Sequence, residues 1–175
     1  MHNSLKKTII TITIAVVVIM LGLLVFDITK KVSKQSVFAE IKTLHVKTLD
    51  STNVTLALNQ PDTTLIMIFN SECDICKIEL GKMLIDYPLL EKYRICLLSR
   101  QNISVLKQFQ IKQNLDNYPS IELFKIDERL TEEPFNTAPN PSVFIYDKNG
   151  KAIFQRKGYT NISELINLIA NGKNS

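Results

Sequence analysis

Cys73-Asp74-Ile75-Cys76 sets two thiols three residues apart. On a helix that spacing keeps both sulfurs within one turn. One thiol can attack a disulfide, and the other can then resolve the mixed disulfide that forms. Zinc sites use the same spacing, so the flanking elements must decide the chemistry. Before the pair, Leu65-Ile-Met-Ile-Phe69 is a continuous apolar run bounded by Pro61-Asp62 and Asn70-Ser71. Such a run reads as a strand buried on both faces. After it, Cys76, Leu80, Met83, Leu84 and Tyr87 recur at helical spacing. A helix therefore opens at Cys73 or Asp74, and Pro88 kinks or ends it. A cysteine at a helix start meets unpaired amide N–H groups and the positive end of the macrodipole, which stabilise a thiolate. A cysteine pair at a strand-to-helix turn favours thiol exchange. The zinc alternative needs Cys96 and His45 to complete four ligands, yet Cys96 lies inside an apolar strand and His45 has no paired spacing.

The remaining elements supply a frame for that turn. Residues 32–47 are mixed and polar, a spacer with room for one leading strand. Ile95-Cys96-Leu97-Leu98 reads as a second buried strand, in which Cys96 is a small hydrophobe. Ile103, Leu106 and Phe109 predict a helix started by Asn102. Residues 121–124 form a short strand, and 130–135 a turn or short helix. Val143-Phe-Ile-Tyr146, the turn Asp147-Lys-Asn-Gly150 and Ala152-Ile-Phe-Gln155 make an antiparallel hairpin. Asn161 and Glu164 form a capping-box-like pair, Ile162, Leu165, Ile166 and Ile169 give the apolar stripe, and Gly172 stops the last helix. Strand and helix alternate and then give way to a hairpin, an α/β pattern with a mixed sheet.

The chain has 175 residues, 45% hydrophobic and 22% charged, with three Cys and no Trp. This excludes disordered, collagen-like and disulfide-framework classes. The net charge of +4 is weak and scattered, which argues against nucleic acid as a partner. Much of the excess flanks residues 8–26, a run of 19 residues without a charge. As a helix it spans about 28 Å, close to a hydrocarbon core. No small-residue cleavage pattern follows at the right distance, so the run reads as an uncleaved transmembrane signal anchor. The organisation is then a tail at 1–7, the anchor at 8–26, a juxtamembrane spacer at 27–38, a domain at 39–170 and a tail at 171–175. Lys6 and Lys7 against Lys30, Lys31 and Lys34 slightly favour a cytoplasmic C-terminal domain. The thiol pair outweighs that count and puts the domain on the extracytoplasmic, periplasmic side of the cytoplasmic membrane.

Residues 65–79, from Leu65 through Cys73 and Cys76 to Glu79, resemble the active-site stretch of thioredoxin-fold proteins. Residues 141–150, with Gly158 after the next strand, are similar to their cis-proline strand and hairpin. The resemblance covers roughly residues 39–170. Together with the anchor it is similar to the TlpA-like group of membrane-tethered thiol–disulfide oxidoreductases, including those serving cytochrome c maturation. It implies a thioredoxin-like α/β fold, a central mixed sheet flanked by helices, behind one transmembrane helix. It further implies a redox-active disulfide between Cys73 and Cys76, a cis bond before Pro141, and backbone hydrogen bonds from Asn140 to the substrate. Glu79 matches a Glu these proteins often carry beside the site. The partners implied are disulfide-bearing protein substrates and a membrane thiol–disulfide electron donor, with no cofactor. Three positions depart from the pattern: Glu72 replaces the usual Trp, Gly81 a Pro, and Met67 a buried Asp. Glu79 is then the available proton acceptor for Cys76, and its alternative is a solvated helix residue. Pro141 as an ordinary trans proline is likewise an alternative.

Two other functions share the fold. A peroxiredoxin-like peroxidase needs Pro and Thr ahead of its nucleophile, where this chain has Asn70-Ser71-Glu72. A Sco-type copper chaperone needs three residues between its cysteines and a later His, and no His follows His45.

Overall fold

The computed structural model describes residues 15–24, 26, 41–161 and 165. The chain divides into two compact units, Met1–Phe38 and Ala39–Ser175. In the first unit, residues 15–24 are helical with exposed side chains. Among the described residues no helix is long and apolar enough to cross a membrane. Residues 8–14 and 25 of the expected anchor lie outside the described set.

The second unit is a seven-stranded mixed sheet. Its strands are β1 (Thr43–Lys47), β2 (Asn53–Ala57), β3 (Thr64–Ile68), β4 (Arg94–Ser99), β5 (Ile121–Lys125), β6 (Ser142–Tyr146) and β7 (Ala152–Lys157). The helices are α1 (Asp74–Ile85), α2 (Tyr87–Leu90), α3 (Ile103–Lys112) and α4 (Glu133–Asn136), with a 3₁₀ turn at Leu115–Asn117. Across the sheet the order is β2-β1-β5-β4-β3-β6-β7. β3, β4 and β5 run parallel, while β6 is antiparallel to β3 and β7 to β6. Every residue of β3 and β6 is buried, as expected of strands covered on both faces. On one face Leu65, Met67, Ile95, Leu97, Val143 and Ile145 join Cys76, Leu80 and Met83 of α1 and Leu106 and Phe109 of α3. On the other, Phe135 of α4 packs edge-on against Phe144, with ring centroids 5.1 Å apart.

The turn before β7 follows from its residues. The Asp147 carboxylate accepts the N–H groups of Asn149 and Lys151 at 2.9 and 2.8 Å. Gly150 has φ +74°, and a Cβ there would lie 3.1 Å from Asn59, so any other residue meets both backbone strain and a tight contact.

Several expectations need adjustment. The leading strand exists as β1, but it forms a hairpin with β2, which the sequence reading passed over. Its turn closes with the Thr48 N–H donating to the Thr52 carbonyl at 2.9 Å, over Ser51 at φ +72°. Pro88 does not end α1; the helix stops at Asp86, and Pro88 falls in the first turn of α2, where its missing N–H costs no bond. Asn102 stands at the N-cap of α3 without a side-chain capping bond. Of the last helix, only Leu165 is described; it is buried, and its N–H reaches the Asn161 carbonyl at 3.1 Å.

Candidate active site

β3 ends in the core and hands the chain to a five-residue loop, residues 69–73, that opens α1. Cys73 is the N-cap residue of that helix, in extended conformation. N-caps normally use a side-chain oxygen to accept a free amide of the first turn. Here sulfur takes that place, and the Cys76 N–H donates to Cys73 Sγ at 3.3 Å. Negative charge developing on this sulfur is thus met by a main-chain donor and the helix dipole. Cys73 is partly exposed, whereas Cys76 is 1% exposed. All three cysteines are free thiols. Burial pushes the Cys76 thiol up to about 12, aided by Cys73 and by the charge of Glu79. The two thiols are therefore unequal: one faces solvent at a helix start, and the other is held protonated beneath it.

Glu79 is not a solvated helix residue. Its side chain is fully buried, and neither carboxylate oxygen completes a hydrogen bond. Burial pushes its carboxyl up to about 7, against weaker opposing pulls from Thr160 and Arg156. An ionised carboxylate without full hydrogen bonding is costly in such a place. Near neutral pH Glu79 can hold or release a proton, one helical turn from Cys76.

Around Cys73 the charges are mixed. Asp74 and Lys77 pair at 2.8 Å, and the Lys77 ammonium holds the Asp74 carboxyl below its usual range. Lys77 also feels Cys73 and Glu72. The repulsion that the Asp74 charge would exert on a thiolate at Cys73 is thus partly offset. A shallow cleft lined by Ser71, Glu72, Lys77, Val105, Phe109 and Lys112 opens beside this helix start.

The second wall of the site comes from β6. The pairing of Ile68 with Ser142 brings residues 139–141 beside the loop that leaves β3. The Asn140–Pro141 bond is cis, with Asn140 exposed and Pro141 buried. Gly158, at φ +88°, donates its N–H to the Pro141 carbonyl at 2.8 Å, and Ser142 Oγ donates to the Pro139 carbonyl at 2.6 Å. Cys73, Cys76, Glu79, Asn140 and Pro141 thus gather at one end of the sheet. Met67, at the position of a missing Asp, belongs to the apolar core.

Cys96 and His45 stay apart from that cluster. Cys96 alternates with Ile95 and Leu97 and so faces the other side of the sheet from Cys76; burial pushes its thiol up to about 12. His45 Nδ1 lies 2.5 Å from the Glu132 carboxylate. Among the described residues no three His, Cys, Asp or Glu side chains gather to hold a metal ion. Sequence reasoning missed Thr160, Arg156, Arg100 and Gln101. None stands in a periodic or paired motif, and only the fold brings them to the site.

No protein-family model matches the chain, nor does any curated protein sequence. Solved structures do resemble it. The pneumococcal exposed lipoprotein thioredoxin Etrx1 of Streptococcus pneumoniae matches at 15% identity and TM-score 0.58, over 74% of this chain and 98% of its own. A secreted Mycobacterium tuberculosis disulfide oxidoreductase homologous to DsbE matches at 14% identity and TM-score 0.59, over 73% and 94%. A peroxiredoxin-like protein from Aquifex aeolicus matches at 16% identity and TM-score 0.57, over 74% and 82%. The fold is thioredoxin-like.

Proposed function

We propose that the chain is a membrane-tethered thiol–disulfide oxidoreductase of the TlpA-like kind, reducing disulfides in extracytoplasmic proteins. The observation that carries this reading is the division between the two thiols. Cys73 is accessible at a helix N-cap, and Cys76 is buried one turn in, above the buried Glu79. In the proposed cycle the Cys73 thiolate attacks one sulfur of a substrate disulfide. That bond breaks, a Cys73–substrate disulfide forms, and the other substrate sulfur leaves as a thiol. Cys76 then gives its proton to Glu79 and attacks the Cys73 sulfur. The second substrate thiol leaves, the pair is oxidised to a disulfide, and two electrons have passed to the substrate. A membrane-borne dithiol donor returns the pair to the reduced state. Asn140 and Pro141 line the docking wall opposite Cys73.

The uncharged run at 8–26 supports tethering, with the thioredoxin-like domain on the extracytoplasmic, periplasmic side. The descriptions of Etrx1 as an exposed lipoprotein and of the M. tuberculosis protein as secreted support that side. Peroxidases share the fold, but Asn70-Ser71-Glu72 stands where a peroxidase needs Pro and Thr ahead of its nucleophile, which favours exchange over peroxide capture.

The test is trapping in cells. With Cys76→Ser, mixed disulfides should accumulate on Cys73, and their partners can be identified by mass spectrometry; Cys73→Ser should collect none. Absence of trapped partners, together with rapid peroxide consumption by the purified chain, would transfer the assignment to a thiol peroxidase.

A further inference from the structure

Both walls of the site are tied to the same short stretch of chain. β4 runs parallel to β3, so Arg100 and Gln101 emerge at the end of the sheet where Cys73 sits. Gln101 grips the loop before the nucleophile from two sides. Its Oε1 accepts the Ser71 N–H at 2.7 Å, and its Nε2 donates to Ser71 Oγ at 2.9 Å. Arg100 turns the other way. Its Nε donates to the Asn136 carbonyl at 2.6 Å, and its Nη2 donates to the carbonyls of Phe135 and Ala138 at 2.9 and 2.7 Å. These carbonyls close the C-terminus of α4 and begin the segment that runs to Asn140 and Pro141. A planar guanidinium suits the task, because its donors are fixed relative to one another and each bond is charge-assisted. The adjacent side chains therefore join the nucleophile loop to the docking loop through the two residues that directly follow β4.

The geometry points to Arg100 and Gln101 as positioning residues that set the separation between the Cys73 sulfur and the Asn140–Pro141 wall. This rests on the oxidoreductase reading above. Neither residue touches the reacting atoms. A large substrate must meet both walls at once, whereas a small disulfide needs only the sulfur. Arg100 therefore governs protein substrates selectively, and Gln101 governs attack on any disulfide.

The test compares reduction of insulin and of a small aromatic disulfide by the purified full-length chain and its variants, with an added dithiol recycling the Cys73–Cys76 pair and the rate without protein subtracted. Arg100→Ala should raise KM for insulin roughly tenfold or more and leave the small-disulfide rate within about twofold. Gln101→Ala should slow both reactions by a similar factor. Arg100→Lys keeps the charge but not the fork, and its KM for insulin should fall between the wild type and Arg100→Ala. If Arg100→Ala no longer melts cooperatively, Arg100→Lys carries the test through the same split. Equal losses toward both substrates, or no change toward either, in a folded Arg100 variant would overturn the assignment. A wild-type chain that reduces neither substrate would instead overturn the oxidoreductase reading, and this inference with it.

Discussion

At the scale of single residues, Glu79 departs furthest from ordinary behaviour. Its carboxyl is raised from 4.5 to about 7 by burial, so the folded state holds its proton more tightly than the unfolded chain. The sign of the linkage follows: this contribution to stability is fully present below about pH 4.5 and is lost as pH rises through about 7. The loss amounts to about 3 kcal/mol at most. Glu79→Gln carries no such charge. Denaturant unfolding should therefore show the wild type losing stability between pH 4.5 and 7.5 while the variant changes much less across the same window. A parallel fall in both proteins would assign the pH dependence to other groups. The same substitution should slow resolution of the mixed disulfide and flatten the pH–rate profile near 7, since Cys76 would lose its nearby proton acceptor.

At the scale of elements, the start of α1 sets the redox character of the pair. The first turn offers N–H donors and the helix dipole, typically worth about 0.3–1 kcal/mol. Against them stand Asp74 and Glu72, with Lys77 returning one positive charge. A strong oxidant stabilises its reduced form far more than thioredoxin does. This helix start has no such excess of positive charge. Equilibration with glutathione buffers should place the midpoint nearer about −270 mV than about −120 mV. Lys77→Gln should move it to more negative values and Asp74→Asn to less negative ones; shifts of the opposite sign would show that these side chains act through structure rather than charge. The turn after β7 allows a second measurement at this scale. Gly158 sits at φ +88° with open space where a Cβ would go, so Gly158→Ala meets backbone strain and no clash. The variant should lose about 1–2 kcal/mol in a thermal or denaturant melt, and unchanged stability would mean the turn relaxes freely.

At the scale of the whole molecule, the parallel strands β3 and β4 deliver their C-terminal loops to one end of the sheet, and the antiparallel β6 begins there. The loop that carries Cys73 and the loop that carries Asn140 and Pro141 meet because of that topology, as ligand sites gather at strand ends in α/β sheets. The uncharged run at 8–26 bears on where this site works. If it anchors the chain, a membrane-impermeant thiol reagent should label Cys73 in intact spheroplasts, and the chain should sediment with membranes. Labelling only after lysis would move the domain to the cytoplasmic side.

Much of this protein is legible in its sequence, and the reasons are local. The uninterrupted apolar runs of β3 and β4, the helical spacing from Cys76 to Leu84 and the Asp147–Gly150 turn each read correctly, because periodicity and turn chemistry act over a few residues, whereas Tyr87, read as part of the same helix, opens α2. The placing of Cys73 at a helix start followed from the same signals. The leading strand β1 was allowed for, but its hairpin partner β2 was missed because it is short and alternates Val54 and Leu56 with Asn53 and Thr55, a pattern that a polar loop shares. The burial of Glu79 was left open in sequence because it depends on β7 and Thr160 closing over α1, some 80 residues away in the chain. Arg100 and Gln101 gave no signal at all, since a single Arg or Gln acquires meaning only from the carbonyls and amides that the fold brings within reach. Sequence determined that two thiols lie three residues apart at a helix start and where most of the strands and helices lie; burial and long-range hydrogen bonding, which exist only once distant segments pack, decided how those thiols differ in exposure and tied Arg100 and Gln101 to the chain on either side.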